Sequence, residues 1–159
     1  MAQEAQRAAR DWLMIVRDIR ATDRAAWEPL WRGYLEFYKS AFDPAQADVT
    51  FARLLDPNEP MFALVAEEEN ALIGVVQCVL HRSTWFEREI CYLQDLFTLP
   101  EARGRGVGRA LIEAVYMRAE EEAWPRVYWQ THESNGTARL LYDRVAKNSG
   151  FIVYRRDWA

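Results

Sequence analysis

The apolar and polar positions change period several times along the chain, and each change marks an element. Over 12–19 they alternate loosely, with Leu13 and Ile15 set against Met14 and Val16, predicting a first strand. Thr22 or Asp23 then offers a helix cap, and Trp27, Leu30, Trp31, Tyr34, Leu35 and Tyr38 recur at helical spacing over 24–40. Asp43-Pro44 breaks that helix, and a second is expected over 47–55, closed by Asp56-Pro57-Asn58. Strands follow over 61–66 and 71–81, separated by a charged turn at 67–70. A loop is expected over 82–88, holding Trp85 and Phe86. A central strand over 90–99 ends at Pro100. From Val107 the period is helical again, through Ala110, Leu111, Ala114, Val115 and Ala119, to about 123. A strand over 126–131, with Val127 and Trp129 on one face, comes next. The last helix is capped at Ser134 or Asn135 and runs to about 148, with Gly150 ending it; a final strand is expected over 151–156. The order β-α-α-β-β-β-α-β-α-β predicts an α/β protein, a mixed sheet covered by helices.

Composition narrows the picture. The 159 residues suit one domain with one core, spanning 1–159, and half of them are hydrophobic. No apolar run is long enough to span a bilayer, and the charged, alanine-rich first ten residues do not read as a secretion signal; a soluble cytoplasmic protein is expected. Cys78 and Cys91 lack metal-site spacing and are expected as reduced thiols, Cys78 as a small core residue. A net charge of −4 argues against a nucleic-acid partner and fits a cationic small substrate.

The join between the central strand and its helix carries the chemistry. It reads Arg103-Gly104-Arg105-Gly106-Val107-Gly108-Arg109. The first turn of a helix has N–H groups without internal partners at the positive end of the helix dipole. Glycines let an anion approach the backbone, and arginines add forked donors. Together they describe a cradle for a diphosphate rather than a single phosphate. A nucleotide P-loop would need Gly-Lys-Ser/Thr, whereas Gly108 is followed by Arg109 and Ala110. A dinucleotide fold would place such a motif in its first βα unit, not past the middle of the chain. The bland alternative is a tight turn with solvated arginines.

Arg103-x-x-Gly106-x-Gly108 resembles the Arg/Gln-x-x-Gly-x-Gly/Ala motif of the GNAT superfamily of acyl-CoA-dependent N-acetyltransferases. The Leu-x-Asp-Leu-Phe strand before it and the Asn-x-x-Ala-x-x-Leu-Tyr stretch from Asn135 to Tyr142 resemble the family's flanks, and the overall look is similar to small polyamine and histone acetyltransferase-like enzymes. The resemblance implies the GNAT fold, acetyl-CoA as acyl donor, direct transfer without a metal, and a small primary amine as acceptor: a polyamine, an amino acid, an amino sugar or, less readily, a protein lysine. Homodimers are a tendency of the family. An acyl-CoA-binding sensor on the same fold is the alternative, since fold does not fix function.

The resemblance also assigns roles. Leu96, Phe97 and Thr98 would offer backbone groups to the pantetheine arm, as a strand edge pairs with an extended peptide. Arg103, Gly104, Arg105, Gly106, Val107, Gly108 and Arg109 would hold the diphosphate. Asn135, Ala138 and Tyr142 would contact the cofactor, with Tyr142 as the acid for the departing thiolate. Read from the residues alone, Tyr142 is equally a core aromatic beside Ala138 and Val145, and Asn135 a helix cap. A primary ammonium must lose a proton before it attacks, at about 4 kcal/mol near neutral pH. Polyamine-type relatives carry Leu-Glu-Asp where this chain has Leu93-Gln94-Asp95, and Gln94 takes no proton. Asp95 is therefore the candidate base, on the opposite face from Gln94 by alternation, with Glu28, His132 and Glu133 as substitutes. Glu28, Tyr34, Tyr38, Trp85 and Phe86 are candidate acceptor contacts, through cation–π attraction for the aromatic ones, or else packing residues.

Overall fold

A computed structural model describes residues 2–4 and 13–158. The elements are β1 (Met14–Asp18), α1 (Arg24–Phe37), α2 (Pro44–Leu55), β2 (Met61–Glu68), β3 (Ala71–Ser83), β4 (Phe86–Thr98), α3 (Val107–Glu122), β5 (Val127–Tyr128) and α4 (Gly136–Val145). The predicted first strand forms from Met14; Trp12 lies outside the described residues. The residues fall into two compact parts, the first ending at Trp129 and the second starting at Gln130.

In the first part, five strands form one sheet in the order β1-β2-β3-β4-β5. The first four pair antiparallel; β5 joins β4 in parallel through Cys91↔Val127 and Tyr92↔Tyr128. This is a mixed α/β fold, as the order of periods predicts. The core on one face is built from Trp27 and Leu30 of α1, Ala47, Phe51 and Leu54 of α2, and the sheet residues Ala63, Val65, Val75 and Phe97. Burying each large side chain contributes about 2 kcal/mol. Gly33 lets α1 come down onto β4: a Cβ there would stand 2.5 Å from Cζ of Phe97. Adjacent strand residues point to opposite faces. Gly74, next to Val75, faces the other way, and a Cβ on it would meet Cγ1 of Val107 at 2.8 Å. The glycine-headed helix α3 therefore covers the face opposite α1.

Several boundaries differ from the periodic reading, each for a local reason. Asp43-Pro44 starts α2 rather than merely ending α1: the Asp43 carboxylate accepts from the Ala45 N–H at 2.9 Å, and Pro44 sits at the first helical position, where its missing N–H is harmless. The turn expected at 67–70 shrinks to Glu69-Asn70, both with positive φ (51° and 63°), as a two-residue hairpin requires. The loop expected over 82–88 shrinks likewise. Ser83 already pairs with Phe86, so the charged residues there lie on solvated strand ends.

The strand expected over 126–131 keeps its alternation, with Val127 and Trp129 half-buried and Tyr128 more exposed, but only Val127 and Tyr128 join the sheet. In the second part, α4 ends at Val145, three residues before its expected end. The final strand expected over 151–156 does not form: residues 146–158 have no regular structure, and Phe151 is 83% and Tyr154 89% exposed. β-propensity needs a partner edge to satisfy the backbone, and no ladder among the described residues takes in this segment.

Candidate active site

The glycine turn adopts the geometry an anion cradle needs. Gly104 and Gly106 have φ of +75° and +81°, a left-handed conformation that a side chain would strain. A Cβ at either would meet nothing within 4 Å, so both glycines border open space. Gly106 is the N-cap of α3, a helix of 16 residues, and its carbonyl accepts the first helical bond from Ala110 N at 3.0 Å. The amides of Val107, Gly108 and Arg109 thus form the first turn, where no i−4 carbonyl waits for them.

The three arginines are tied down by the protein itself. Arg103 donates from Nε to the Thr98 carbonyl at 3.2 Å and lies over the Phe97 ring. Arg105 pairs with Glu68 at the end of β2, and Arg109 with Glu113 one turn along α3. The turn is therefore a main-chain device pinned by side chains, whose open glycines and helix entrance could hold an anionic group such as a diphosphate.

Along β4, the β5 ladder stops at Tyr92, so Leu96, Phe97 and Thr98 lie beyond the last pair on that side. On the other side β4 stays paired to β3, with a break at one point. Gln77 pairs with Asp95 but Cys78 pairs with Leu93, so Gln94 is the extra residue of a β-bulge. The bulge interrupts the strict alternation assumed in placing Asp95 by its neighbours. It turns Asp95 to the face of Gln77 and Phe97, under α1, while Leu93 stays on the face of Cys78. Gln94 is exposed and Asp95 is buried, at 8%.

Around Asp95 the structure gathers a polar cluster inside the core. The Trp27 indole donates to Gln77 Oε1 at 2.7 Å, and Gln77 Nε2 donates to Asp95 Oδ2 at 2.8 Å. The Tyr34 hydroxyl is near enough to act on the carboxylate. Burial pushes the Asp95 carboxyl above its ordinary value, and the nearby Tyr34 hydroxyl and the Gln77 amide pull it partly back. Burial, then the charge of Asp95, raises the hydroxyls of Tyr34, Tyr38 and Tyr92, which stay protonated as donors. A ring ladder leads outward: Tyr34 and Tyr38 lie 4.9 Å apart, and Tyr38 is 46% exposed. Tyr92 stacks on Tyr128 at 5.0 Å, whose hydroxyl meets His81 Nε2 at 2.6 Å.

The other sequence candidates are scattered. Glu28, on the solvent side of α1, pairs with Arg24 and Arg32. Trp85 sits 69% exposed at the tip of the β3–β4 hairpin beside Phe86, both within reach of the Arg126 guanidinium. At about 3.3 Å per residue, the nine residues Phe86 to Gln94 separate Trp85 from Asp95 by roughly 30 Å of strand. In the second part, Asn135, Ala138, Tyr142 and Val145 share a half-buried stripe. Asn135 occupies the N-cap of α4 without a side-chain cap bond; its amide donates to Thr131 Oγ1 at 3.3 Å instead. His132 bonds Ser134, and the Glu133 carbonyl accepts from Arg139. Gln77, Tyr92 and Tyr128 are absent from the candidates read off the sequence. Gln77 carried a signal: it is the lone polar residue in the apolar run from Leu72 to Val79.

Among the described residues no group of His, Cys, Asp or Glu could hold a metal, Cys78 and Cys91 are free and buried, and no helix is long and apolar enough to cross a membrane. Residues 27–146 match the Acetyltransferase (GNAT) family. The chain is similar to a D-amino-acid N-acetyltransferase of Saccharomyces cerevisiae, 38% identical over 146 residues and 91% of each chain. It is also 33% identical, over 89% of its length and 95% of the other's, to an uncharacterised N-acetyltransferase of Bacillus subtilis. Its fold is like that of a ribosomal-protein-alanine N-acetyltransferase of Brucella melitensis (TM-score 0.74, 19% identity, 91% of this chain and 99% of that one). The same holds for an aminoglycoside N-acetyltransferase solved with CoA (TM-score 0.78, 16% identity, 92% and 95%). The motif, the sheet and these likenesses converge: the chain belongs to the GNAT family and is an N-acetyltransferase.

Proposed function

We propose that this enzyme transfers an acetyl group from acetyl-CoA to the primary amine of a small acceptor, with free amino acids foremost. Acetyl-CoA supplies the activated acyl group as a thioester. The turn from Arg103 to Arg109 holds its diphosphate on main-chain amides, and the backbone of Leu96, Phe97 and Thr98 aligns the pantetheine arm. Asp95 takes the proton from the acceptor ammonium, directly or through water. Tyr34 and Tyr38 line the approach, where hydroxyls and ring faces suit a cation. Tyr142, by its place in the motif, donates a proton to the departing thiolate.

The observation that carries this reading is the buried Asp95 carboxylate, aimed by a bulge at the face under α1 and raised toward the working range of a general base. The yeast relative's activity on D-amino acids, over nine-tenths of both chains, supports an amino acid rather than a polyamine, amino sugar or protein lysine. The test is a panel of D- and L-amino acids, polyamines, amino sugars and lysine peptides, followed by thiol release and product mass. Amino-acid-dependent thiol release with a gain of one acetyl group is expected. Release with polyamines or peptides alone would overturn the choice of acceptor, and no amine-dependent release would overturn the reaction.

A further inference from the structure

Gln77 is the one polar side chain in the buried stretch of β3, 3% exposed between Val76 and Cys78. An apolar residue would serve the core as well, because a buried polar group gains nothing unless every bond is made. Here every partner is specific. The Trp27 indole can only donate, so it fixes the amide oxygen of Gln77 toward α1. That leaves the amide nitrogen, which can only donate, pointing across the ladder at Asp95. Trp27 is fully buried, so the anchor has no solvent to exchange with. The β4 bulge puts Asp95 directly opposite Gln77 instead of Gln94. Three residues from three elements thus form a one-way chain of donors ending on a single carboxylate oxygen.

We propose that Gln77 is a positioning residue for Asp95: its amide, oriented by the Trp27 indole, holds the carboxylate in one rotamer and favours its proton-accepting form. This rests on the reading of Asp95 as the base. The titratable groups facing Asp95 are Tyr34 and Tyr38 from α1 and Tyr92 from β4, none of them a cation, while Cys78 of β3 points to the opposite face. Uncharged donors therefore bear on its ionisation, and the Gln77 amide is hydrogen-bonded to it at 2.8 Å. Replacing Gln77 by an apolar residue removes that donor and leaves the burial in place, so the carboxyl titrates at higher pH.

The test compares wild type with Gln77→Met, of similar length and volume, and with Trp27→Phe, which keeps the Gln77 amide but frees its orientation. Two readouts are taken on each: the Asp95 carboxyl titration by carbon-13 NMR without substrate, and the pH profile of kcat/KM. In Gln77→Met the titration is expected to move up by about one pH unit, a tenfold change in proton affinity, with the acid limb of the profile following. Trp27→Phe moves both in the same direction by less, and serves alone if Gln77→Met fails to fold. A lower melting temperature with the titration unmoved in the folded variants overturns the proposal and leaves Gln77 a packing residue. A moved titration with an unmoved limb supports the positioning role and removes Asp95 as the base, so the two readings fail separately.

Discussion

The glycine turn and the Asp95 cluster follow one another along the same strand and its exit, yet they are built by opposite means. The turn is made of neighbours in sequence: two left-handed glycines and a helix start within a few residues, presenting backbone N–H groups. The Asp95 cluster is made of strangers. Trp27, Tyr34, Gln77 and Asp95 come from three elements, and the two bonds that join Trp27, Gln77 and Asp95 span 50 and 18 residues of chain. A main-chain site tolerates changes of side chain but not of backbone conformation. A side-chain relay tolerates the reverse. That difference predicts how each will fail.

The largest expected effect tests the turn. Gly106→Glu forces a side chain into a left-handed position and sets a negative charge at the helix entrance. Acetyl-CoA affinity should fall at least a hundredfold by calorimetry, while circular dichroism keeps the wild-type spectrum. Unchanged affinity in the folded variant would remove the cradle.

Asp95→Asn comes next and separates chemistry from stability. Loss of a general base lowers kcat/KM by about 10²–10³. The stability effect has the opposite sign. The folded-state pKa of Asp95 is raised, so its favourable contribution is complete below the ordinary carboxylate value near 3.9 and is lost as pH rises through the raised value. As pH rises, ionising the buried carboxyl costs stability that Asn does not lose. The variant should melt no lower than wild type at pH 7, and any gain should vanish in acid. A variant both inactive and clearly less stable at pH 7 would make Asp95 structural.

These two sites also mark how far the sequence could be read. The glycine turn and its helix start are legible in the sequence because glycine content, helix period and strand stop are local properties. The same holds for the helices, and for β2 and β3 apart from their ends. Asp95 was nameable from its place before the motif, but its surroundings were not. The bulge at Gln94 depends on how β3 and β4 pair, and no window of sequence contains that pairing. Phe151 to Tyr154 show the converse: a β-branched, aromatic run predicts a strand, yet propensity supplies no partner edge.

Tyr142→Phe, the third test, bears on the residue that only the motif nominates. Turnover should drop about tenfold to a hundredfold, with acetyl-CoA affinity within a factor of three. A thiol with a lower pKa as leaving group should recover part of the loss. Unchanged turnover would end the role of Tyr142 as acid.

The smallest expected effect lies where the two kinds of construction meet. Arg105 belongs to the main-chain cradle but is held by Glu68, a side chain from the end of β2. The pair is part-buried, with side-chain exposures of 27% and 17%, so its partner charge is felt at the turn. Glu68→Gln keeps an acceptor for the guanidinium and deletes the negative charge. At a separation of about 10 Å and an effective dielectric between those of water and a protein surface, that charge opposes an incoming diphosphate by roughly 0.5–1 kcal/mol per unit of phosphate charge. Glu68→Gln should therefore tighten acetyl-CoA binding two- to fivefold at low salt, an advantage that shrinks toward 0.5 M salt as screening sets in. Arg105→Gln should weaken binding by a similar factor with the same salt dependence. If Glu68→Gln instead weakens binding, the ion pair serves to hold the turn in its left-handed shape, and the cradle depends on side-chain bracing as much as the Asp95 cluster does.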